Sequence, residues 1–447
     1  MSKRRRKKAP PPPKEGPEIP TTTGVLRLHP RGFGFVISDE KDAPDIFIPK
    51  HLTDNAVDGD RVEIAINPDS KSEKGPDGKI LAVLDRGRTH IAGIVSHIHG
   101  VCYAYIPVLG SSRPAVIENS EGLKLGERVI LRVEEWGSTK NPTICHYERT
   151  IGHIDDPSCD SNAGAEEFSL RNTFPKEAVK EAQAYGKKVT QKELKDRRDL
   201  TKQTTLTIDP ETAKDFDDAL SVEIDEKGHY HLSVHIADAA HYVRPGTALD
   251  KEAFERCNST YFPGHCIPML PEELSNNLCS LREGVIRLTV SVLMEFDRSG
   301  SLINQEICRS YIKSKKRFTY GQAKNILEGK AKSPYRKNLE QMRDLCTLLK
   351  AKRAERGSID FSLPDLVILV DGKGAPTKTH IEEYDITHQM VEEFMLKANE
   401  TVATTLAQRG KGLVYRIHDE PAAEDLQEFD GFARILGFAL PPKPTQK

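Results

Sequence analysis

The sequence lacks the features that would place it in a membrane or outside the cell. No apolar run approaches the roughly 18 residues of a membrane-spanning helix, and the N-terminus has no apolar segment typical of secretory signals. The eight cysteines are scattered without a C-x-x-C pair, which argues against a disulfide framework and against a cysteine zinc site. We therefore expect a soluble, cytoplasmic protein with reduced thiols and no membrane contact.

Positive charge is concentrated at the N-terminus, and acidic residues outnumber basic ones in the rest of the chain. The first 14 residues, MSKRRRKKAPPPPK, contain seven Lys or Arg and no acid, whereas the whole chain has a net charge of −2, so the remainder carries −9. A basic block followed by four prolines cannot form a packed core, and we expect a disordered arm over residues 1–23. The arm is either a solubilising tail or an electrostatic tether for nucleic acid.

The rest of the chain is too long for one ordinary hydrophobic core, so we expect several domains. Its residue pattern also changes along its length. Residues 24–88 contain short strand-like runs separated by Gly, Pro, Asn and Asp, a pattern typical of small antiparallel sheets. Residues 89–150 have a similar length and turn density. Residues 151–200 are polar, with apolar residues at intervals of three and four, and this spacing predicts a helical linker.

Three phenylalanines in the first β-rich block are candidates for binding unpaired bases. Phe33 and Phe35 are two apart in GFGFV and so share one face of a strand, and Phe47 in DIFIP could lie beside them. Aromatics flanked by basic residues suit base stacking, although packing in a core is the commoner role of such a pair. The glycines around Phe33 favour binding, because they leave room for a ligand to approach.

An acidic cluster lies in the stretch TIDPETAKDFDDAL. Its four aspartates, which fall within ten residues, are Asp209, Asp215, Asp217 and Asp218. Like charges this close repel one another unless something neutralises them. A solvated acidic loop is the usual explanation, but the flanking runs TTLTI and ALSVEI are strand-like and apolar, which would partly bury the cluster. An EF-hand calcium loop is excluded, because the sixth position counted from Asp215 is Leu220 and not glycine. A magnesium site for phosphoryl transfer is the third hypothesis, since Mg²⁺ binds carboxylate and phosphate oxygens.

The motif IDPETAKDFDDA closely resembles the signature of the RNB family of exoribonucleases, which includes ribonucleases II and R. Further blocks resemble that family in its order: HLSVHIADAAHYVRPGTALDKEA, STYFPGHCIPMLPEELSNNLCSL, VEEFMLKANETVA and YRIHDEP. GFGFV and DIFIP resemble the two RNA-binding motifs of a cold-shock domain, a five-stranded OB-type barrel. The resemblance implies a multidomain α+β protein with OB-type barrels over residues 24–88 and 89–150. The N-terminal portion of an RNB catalytic domain follows over residues 201–447.

The resemblance implies a processive hydrolytic exoribonuclease that acts from the 3′ end of single-stranded RNA. It would release nucleoside 5′-monophosphates, use Mg²⁺ and work as a monomer. The four aspartates match the family's acidic residues, as metal ligands and catalytic groups, and Asp217 is the residue expected to be indispensable for turnover. Tyr261 in STYFPG matches the tyrosine that stacks on the terminal base, and Phe361 in GSIDF is a candidate for the opposing half of that clamp. Packing in a turn is the alternative role for Tyr261.

For two other motifs we expect structural roles or contacts with the RNA backbone. The motif HIADAAHY contains His235, Asp238 and His241. We expect these side chains to have structural roles and not to bind metal, because the four aspartates already provide enough metal ligands. Arg416 and His418 in YRIHDEP could contact the RNA backbone or serve the fold.

The sequence also departs from the family pattern at its C-terminus. Family members continue with a Thr-Ser-Pro-Ile-Arg-Arg segment that contributes an active-site arginine, and then with a further OB-type domain, whereas this sequence ends at FALPPKPTQK. We therefore expect an incomplete catalytic domain with slow hydrolysis. The alternative function is a catalytically impaired, single-stranded RNA-binding protein. A small-molecule phosphoesterase is disfavoured by the two β-rich blocks.

Overall fold

The computed structural model describes residues 20–29, 31–40, 43–67, 76–109, 113–138, 140–359, 364–417, 420–421 and 423–441. The chain divides into two compact units. The first unit draws on the ranges Met1–Asn172, Phe262–His265 and Ile368–Lys378. The second unit draws on the ranges Thr173–Tyr261, Cys266–Val367 and Thr379–Lys447.

The first unit begins with a five-stranded antiparallel sheet in the order β3-β2-β1-β4-β5. Its strands are β1 (Thr21–Leu28), β2 (Gly34–Ser38), β3 (Ile46–Ile48), β4 (Arg61–Ile66) and β5 (Gly78–Asp85). Alternate residues such as Leu26, Val36 and Ile64 form a buried core, as the two-residue period of a strand requires. A backbone bridge between Phe47 and Asp77 brings the two edges of the sheet together.

A closed five-stranded barrel follows in the same unit, in the order β10-β8-β7-β6-β9. Its strands are β6 (His90–Ile98), β7 (Val101–Tyr105), β8 (Ala115–Ile117), β9 (Glu127–Glu135) and β10 (Thr143–His153). Aliphatic side chains fill its interior, among them Val95, Val129 and Leu131. The predicted β-rich character of residues 24–150 is therefore confirmed, and the assignment of both blocks as OB-type barrels stays a prediction.

The stretch predicted to be a helical linker contains short helices. These are α1 (Asp160–Glu167), α2 (Lys176–Ala184) and α3 (Gln191–Leu194). The division between the two units falls after Asn172, inside this stretch, so α1 lies in the first unit and α2 and α3 lie in the second.

A seven-stranded mixed sheet dominates the second unit, in the order β11-β18-β17-β14-β13-β12-β19. The strands from residue 198 onward are β11 (Arg198–Asp199), β12 (Leu206–Asp209), β13 (Asp218–Ile224), β14 (Tyr230–Ala237), β15 (Thr260–Phe262), β16 (His265–Ile267), β17 (Ile286–Phe296), β18 (Leu302–Lys313), β19 (Lys316–Thr319), β20 (Asp365–Val370) and β21 (Pro376–Glu382). Neighbours in the sheet are antiparallel except that β12 runs parallel to β19 and β11 runs parallel to β18. The pairs β15–β16 and β20–β21 lie outside it.

Helices cover one face of this sheet. The helices after residue 238 are α4 (Ala239–Tyr242), α5 (Ala248–Arg256), α6 (Tyr320–Leu327), α7 (Arg336–Glu355), α8 (Ile386–Gln408) and α9 (Ala423–Ile435). Alternate strand residues such as Leu220, Leu232 and Met294 pack against α6, α7 and α8 in the largest buried core. Among the described residues, no helix is both long and apolar enough to cross a membrane.

Local sequence fixes where α6 begins. The Thr319 side chain accepts a hydrogen bond from the Gln322 backbone N–H at 3.1 Å, and the Gln322 side chain bonds back to the Thr319 N–H, which makes a capping box. Because Thr319 is also the last residue of β19, the chain passes directly from strand to helix. This junction places Tyr320 beside the end of β12.

Candidate active site

The four predicted aspartates lie at the adjoining ends of β12 and β13. Asp209 is the last residue of β12 and Asp218 is the first residue of β13, while Asp215 and Asp217 lie in the turn that joins them. The two strands are antiparallel, so their ends lie next to each other. The structure therefore brings the four aspartates together on the segment 209–218, which we call the aspartate turn.

Burial and mutual repulsion disfavour the charged forms of these side chains. Burial raises the pKa of Asp209 to about 7, and the neighbouring Asp218 and Asp215 add to the increase. Desolvation by the surrounding protein, together with Asp215 and Asp218, raises the pKa of Asp217 to about 6, although the residue itself is exposed. Burial also raises the pKa of Asp218. These carboxyl groups therefore hold protons more tightly than isolated aspartates do.

One buried carboxylate oxygen in the aspartate turn lacks a well-formed hydrogen bond. Oδ2 of Asp209 has no partner of normal hydrogen-bond geometry among the described residues, although the neighbouring Thr207 side chain lowers the pKa of Asp209. Buried polar atoms are nearly always paired, and an unpaired one in a native protein often marks a bound ion or a catalytic site. Asp209 therefore offers a buried ligand atom to a cation.

Ser280 fixes the backbone of the aspartate turn on both sides of Asp215. Its fully buried hydroxyl donates to the Lys214 carbonyl at 2.8 Å and accepts from the Phe216 N–H at 3.1 Å. The N–H of Leu281 donates to the Phe216 carbonyl at 2.8 Å. The sequence analysis missed this role of Ser280, although the residue lies within a block that resembles the RNB family.

Arg317 supplies positive charge at the same place. Its guanidinium donates to the carbonyl oxygens of Pro210 at 2.6 Å and Glu211 at 3.2 Å, and it lies 5.4 Å from the centre of the Phe216 ring. Its charge opposes the increase in the pKa of Asp209. Arg317 lies more than a hundred residues from Asp209 in sequence and reaches it only because β19 pairs with β12. No signal in the sequence identifies it.

Tyr320 is another neighbour that the sequence analysis missed. Burial raises its pKa to about 12, and the negative charges of Asp209 and Asp218 contribute to the increase. Its ring stacks on His388, with 3.9 Å between the ring centroids. The Tyr320 side chain is therefore neutral, and its stacked ring lies beside the aspartates.

Tyr261 is joined to the aspartate turn by a hydrogen bond. Its hydroxyl donates to Oδ2 of Asp215 at 2.6 Å, and this bond, together with burial and the nearby charge, raises the pKa of the tyrosine. The side chain is nevertheless 66% exposed, so its ring is open to a ligand and not packed in a turn. Its stacking role stays a prediction, and Phe361 lies outside the described residues.

Comparison with known proteins identifies the family to which this chain is related. The family model described as RNB domain matches residues 197–446, more than half of the chain. The chain belongs to the RNB family. A second model, described as Ribonuclease B OB domain, matches residues 24–83. The four aspartates and Tyr261 lie within the RNB match, and the three phenylalanines lie within the OB match.

Several relatives of this RNB-family chain carry the name Ribonuclease R. Ribonuclease R of Chlamydia pneumoniae is 40% identical over 435 residues, which cover 95% of this chain and 64% of the relative. Ribonuclease R of Aquifex aeolicus is 35% identical, with 94% of this chain and 60% of the relative covered. The structure of Mycoplasma genitalium RNase R in complex with ribose-methylated single-stranded RNA superposes with a TM-score of 0.80 at 28% identity, covering 95% of this chain and 68% of that one. The chain thus spans less than two thirds of the length of these curated relatives.

The OB domain of this RNB-family protein displays the three phenylalanines on one face. The ring centroids of Phe35 and Phe47 are 5.5 Å apart, and Phe33 lies 6.1 Å from Phe35 and 5.7 Å from Phe47. All three rings are half-buried, while the alternating residues Val36 and Ile48 point into the core. Because side chains alternate between the two faces of a strand, the aromatic rings lie on the face opposite the core. RNA binding by this aromatic face stays a prediction.

The expectation that the glycines around Phe33 leave room for a ligand is wrong for Gly34. This residue is buried, and a Cβ atom there would lie 2.8 Å from the carbonyl oxygen of Arg27 and 2.9 Å from the side chain of Leu26. Gly34 is therefore needed for β2 to pack against β1, and it leaves no room for a ligand. Gly32 has φ of +91° in the preceding turn, a conformation that favours glycine.

The histidines of the HIADAAHY motif have partners of their own within the RNB match. His235 is fully buried, and its Nδ1 lies 2.6 Å from the hydroxyl of Ser291. Asp238 forms a buried ion pair with Arg197, and Nε2 of His241 lies 3.1 Å from Glu193. These contacts agree with the structural roles expected for them.

Of the two basic residues in YRIHDEP, the structure describes one. Arg416 is exposed, and His418 lies outside the described residues.

Proposed function

We propose that this RNB-family chain hydrolyses single-stranded RNA processively from the 3′ end, using Mg²⁺, and releases nucleoside 5′-monophosphates. The observation that carries the proposal is the aspartate turn, in which four carboxyl groups converge and the buried Oδ2 of Asp209 has no partner of normal hydrogen-bond geometry among the described residues. The relatives named Ribonuclease R support an exonuclease, and the RNA-bound structure of one of them supports RNA as the substrate.

The residues present fit a divalent cation. Hard cations prefer carboxylate oxygens, and a dication would offset the repulsion and burial that raise the pKa values of Asp209 and Asp217. The four aspartates would hold Mg²⁺ directly or through water. When bound, Mg²⁺ supplies Lewis-acid activation of the scissile phosphate and of the attacking water.

The remaining tasks belong to side chains of the chain itself. The exposed ring of Tyr261 would stack on the terminal base and so position the last phosphate next to the aspartates. Ser280 would keep the turn in one conformation, because its two hydrogen bonds restrain the backbone around Asp215. Arg317 would hold the first part of the turn through the carbonyl groups of Pro210 and Glu211.

The aromatic face of the OB domain supports a single-stranded substrate. Bases are accessible to stacking only when they are unpaired, and aromatic side chains on an open sheet bind them without regard to sequence. Phe33, Phe35 and Phe47 provide such a surface of adjacent rings. The OB domain would then retain the strand while successive 3′ nucleotides are removed.

Hydrolysis of end-labelled RNA by the purified chain tests this proposal. With 5′-labelled single-stranded RNA and Mg²⁺, we expect the full-length band to shorten to a small end product, and with 3′-labelled RNA we expect immediate release of labelled 5′-monophosphate. Asp217→Asn should reduce the rate by about 10²-fold or more, because it removes a charge needed to stabilise the transition state. RNA affinity should change little, since most of the RNA-binding surface is untouched.

Asp344→Asn is the matched control. It makes the same chemical change on the exposed surface of α7 and should leave the rate unaltered. An Asp217→Asn protein with the wild-type rate would contradict the assignment of the site. A wild-type chain that shifts RNA in a binding assay but releases no nucleotide at any Mg²⁺ concentration would instead favour the non-catalytic RNA-binding alternative.

A further inference from the structure

A second group of metal-ligating side chains lies at the other end of the β13–β14 hairpin from the catalytic aspartates. Asp225, His231 and Glu295 each offer a ligand atom, and these atoms all lie within 4.8 Å of one another. Asp225 comes seven residues after Asp218 on β13, so the group lies roughly 23 Å from the aspartate turn at about 3.3 Å per residue. The aspartate turn therefore cannot share its metal with this group.

His229 lies beside the group and contacts both of its carboxylates. Its Nδ1 lies 3.1 Å from Oε1 of Glu295 and 3.9 Å from Oδ2 of Asp225, while Nε2 of His231 lies 3.3 Å from the same Oδ2. Ligands at 2.0–2.1 Å around a tetrahedral zinc ion are separated by roughly 3.3 Å, and the contact between His231 and Asp225 has that separation. We call Asp225, His231 and Glu295 the hairpin cluster.

The backbone holds Asp225 in the orientation that a ligand needs. Its Oδ1 accepts hydrogen bonds from the N–H groups of Lys227 and His229, both at 2.9 Å, in the turn between the two strands. The other oxygen, Oδ2, is left to face the two imidazoles. His231 and Glu295 are opposite each other on the paired strands β14 and β17, so the sheet register fixes their separation.

The charge of the hairpin cluster also favours a cation. Within the part of the chain that the structure describes, Asp225 and Glu295 have ion-pair contacts only with imidazoles, and neither is paired with a lysine or an arginine. Two carboxylates with no lysine or arginine beside them repel each other, and a dication bound between them relieves that repulsion.

The cluster is open to solvent through a cavity. His231 and Glu295 line a cavity of about 220 Å³ together with Ser233, Glu306 and Arg198, and the guanidinium of Arg198 is paired with Glu306 and not with the cluster. This space admits a hydrated ion and leaves room for a water molecule to complete its coordination. The site is therefore accessible in the folded protein.

We propose that the hairpin cluster binds a transition-metal dication, with Asp225, His231 and Glu295 as ligands and water in the fourth position, while His229 orients Glu295 through its 3.1 Å contact. A ligand set that includes an imidazole nitrogen suits Zn²⁺ and the similar ions Co²⁺ and Ni²⁺, whereas Mg²⁺ prefers all-oxygen sites. The ion joins the β13–β14 turn to β17 and so stabilises this end of the sheet. It is separate from the cations proposed for catalysis.

Cobalt binding tests the proposal without reference to activity. The purified chain is titrated with Co²⁺ in excess Mg²⁺, so that the aspartate turn is occupied, and tetrahedral coordination is followed by its visible absorption. We expect a saturable band that Zn²⁺ removes by displacement. His231→Gln and Glu295→Gln should each weaken Co²⁺ binding at least about tenfold, since each removes one of the three protein ligands.

Two controls separate this site from others in the chain. His97→Gln alters a histidine of the first unit, and Asp215→Asn alters the aspartate turn, and both should leave the band and the affinity unchanged. Zn²⁺ should raise the melting temperature of the wild type but not that of His231→Gln, with circular dichroism confirming that the variant folds. A Co²⁺ band that survives in both ligand variants, or an absorption typical of thiolate ligands, would overturn the assignment.

Discussion

Asp209 retains a proton to about pH 7 when no cation is present, because it is buried beside two other carboxyl groups. In the unfolded chain the same side chain releases its proton at about pH 4. Between these values the folded protein binds more protons than the unfolded chain, and the free energy of unfolding consequently falls as the pH rises. The metal-free protein is thus less stable at pH 7 than at pH 5 as far as this residue is concerned.

This gives a prediction for Asp209→Asn. In the presence of a chelator, the free energy of unfolding of the wild type should decrease more steeply between pH 4 and 7 than that of the variant, which has no proton to lose. Urea unfolding at several pH values measures both slopes. Asp344→Asn should behave like the wild type, and identical slopes for Asp209→Asn and the wild type would show that Asp209 titrates normally.

Tyr261 combines two functions that substitution can separate. Tyr261→Phe keeps the exposed ring but removes the 2.6 Å hydrogen bond to Asp215, whereas Tyr261→Ala removes both. Loss of stacking costs about 1–3 kcal/mol per base, so Tyr261→Ala should change the length of the final product by mis-seating the terminal nucleotide. Tyr261→Phe should keep the wild-type product length.

Sequencing gels of the end products measure this difference directly. If Tyr261→Ala gave the same final product as the wild type, the tyrosine would not position the terminal base. If Tyr261→Phe also changed the product, the hydrogen bond to Asp215 and not the ring would be the important feature.

The sequence predicts the site only as far as the site is local. The four aspartates lie within ten residues, so their spacing alone brings them together, and the apolar flanks already indicate partial burial. Ser280 and Arg317 reach the same turn through tertiary contacts and through the pairing of β12 with β19. Neither contact has a signature in the residues that make it, which is why both were missed.

At the scale of elements, β2 shows how one strand presents two different surfaces. Phe35 faces outward among aromatic rings, and Val36, the next residue, is fully buried in the core. Phe35→Ala should therefore weaken binding of single-stranded RNA by about 1–3 kcal/mol with little change in the melting temperature. Fluorescence anisotropy with labelled RNA and thermal unfolding measure the two quantities.

Val36→Ala is the control from the opposite face of the same strand. It should lower the melting temperature, because it leaves a cavity in the core, and should affect RNA affinity only as far as the domain unfolds. If Phe35→Ala destabilised the domain as much as Val36→Ala, the aromatic face would be part of the core, as the alternative interpretation of the sequence holds.

Sheet order is the part of the fold that the sequence does not predict. The strand-like flanks TTLTI and ALSVEI correspond to β12 and β13, which are antiparallel neighbours. The parallel placement of β19 beside β12, and of β11 beside β18, joins strands about a hundred residues apart. Such pairings depend on the whole core, because periodicity within a strand says nothing about its partner.

At the scale of the whole molecule, the distribution of charge predicts how RNA affinity depends on salt. The first 14 residues contain seven Lys or Arg, and the rest of the chain has a net charge of −9. If the N-terminal cations contact RNA phosphates, each should contribute about 0.7 to the slope of log affinity against log salt concentration. Removal of residues 1–14 should therefore reduce that slope and weaken binding most at low salt.

Filter binding at several salt concentrations measures the slope for both chains. A matched chain in which the seven basic residues are replaced by glutamine keeps the length and tests charge alone. Equal slopes for the intact and shortened chains would mean that the segment is a solubilising tail and does not bind nucleic acid.

The buried oxygen of Asp209, which has no partner of normal hydrogen-bond geometry in the described part of the chain, has a consequence for folding equilibria. A cation that binds the aspartates only in the native sheet shifts the unfolding equilibrium by mass action, by about 2.7 kcal/mol at a hundredfold excess over its dissociation constant. Cellular magnesium would then be a folding ligand as well as a catalytic one. The protein would be most exposed to proteolysis when both magnesium and RNA are depleted.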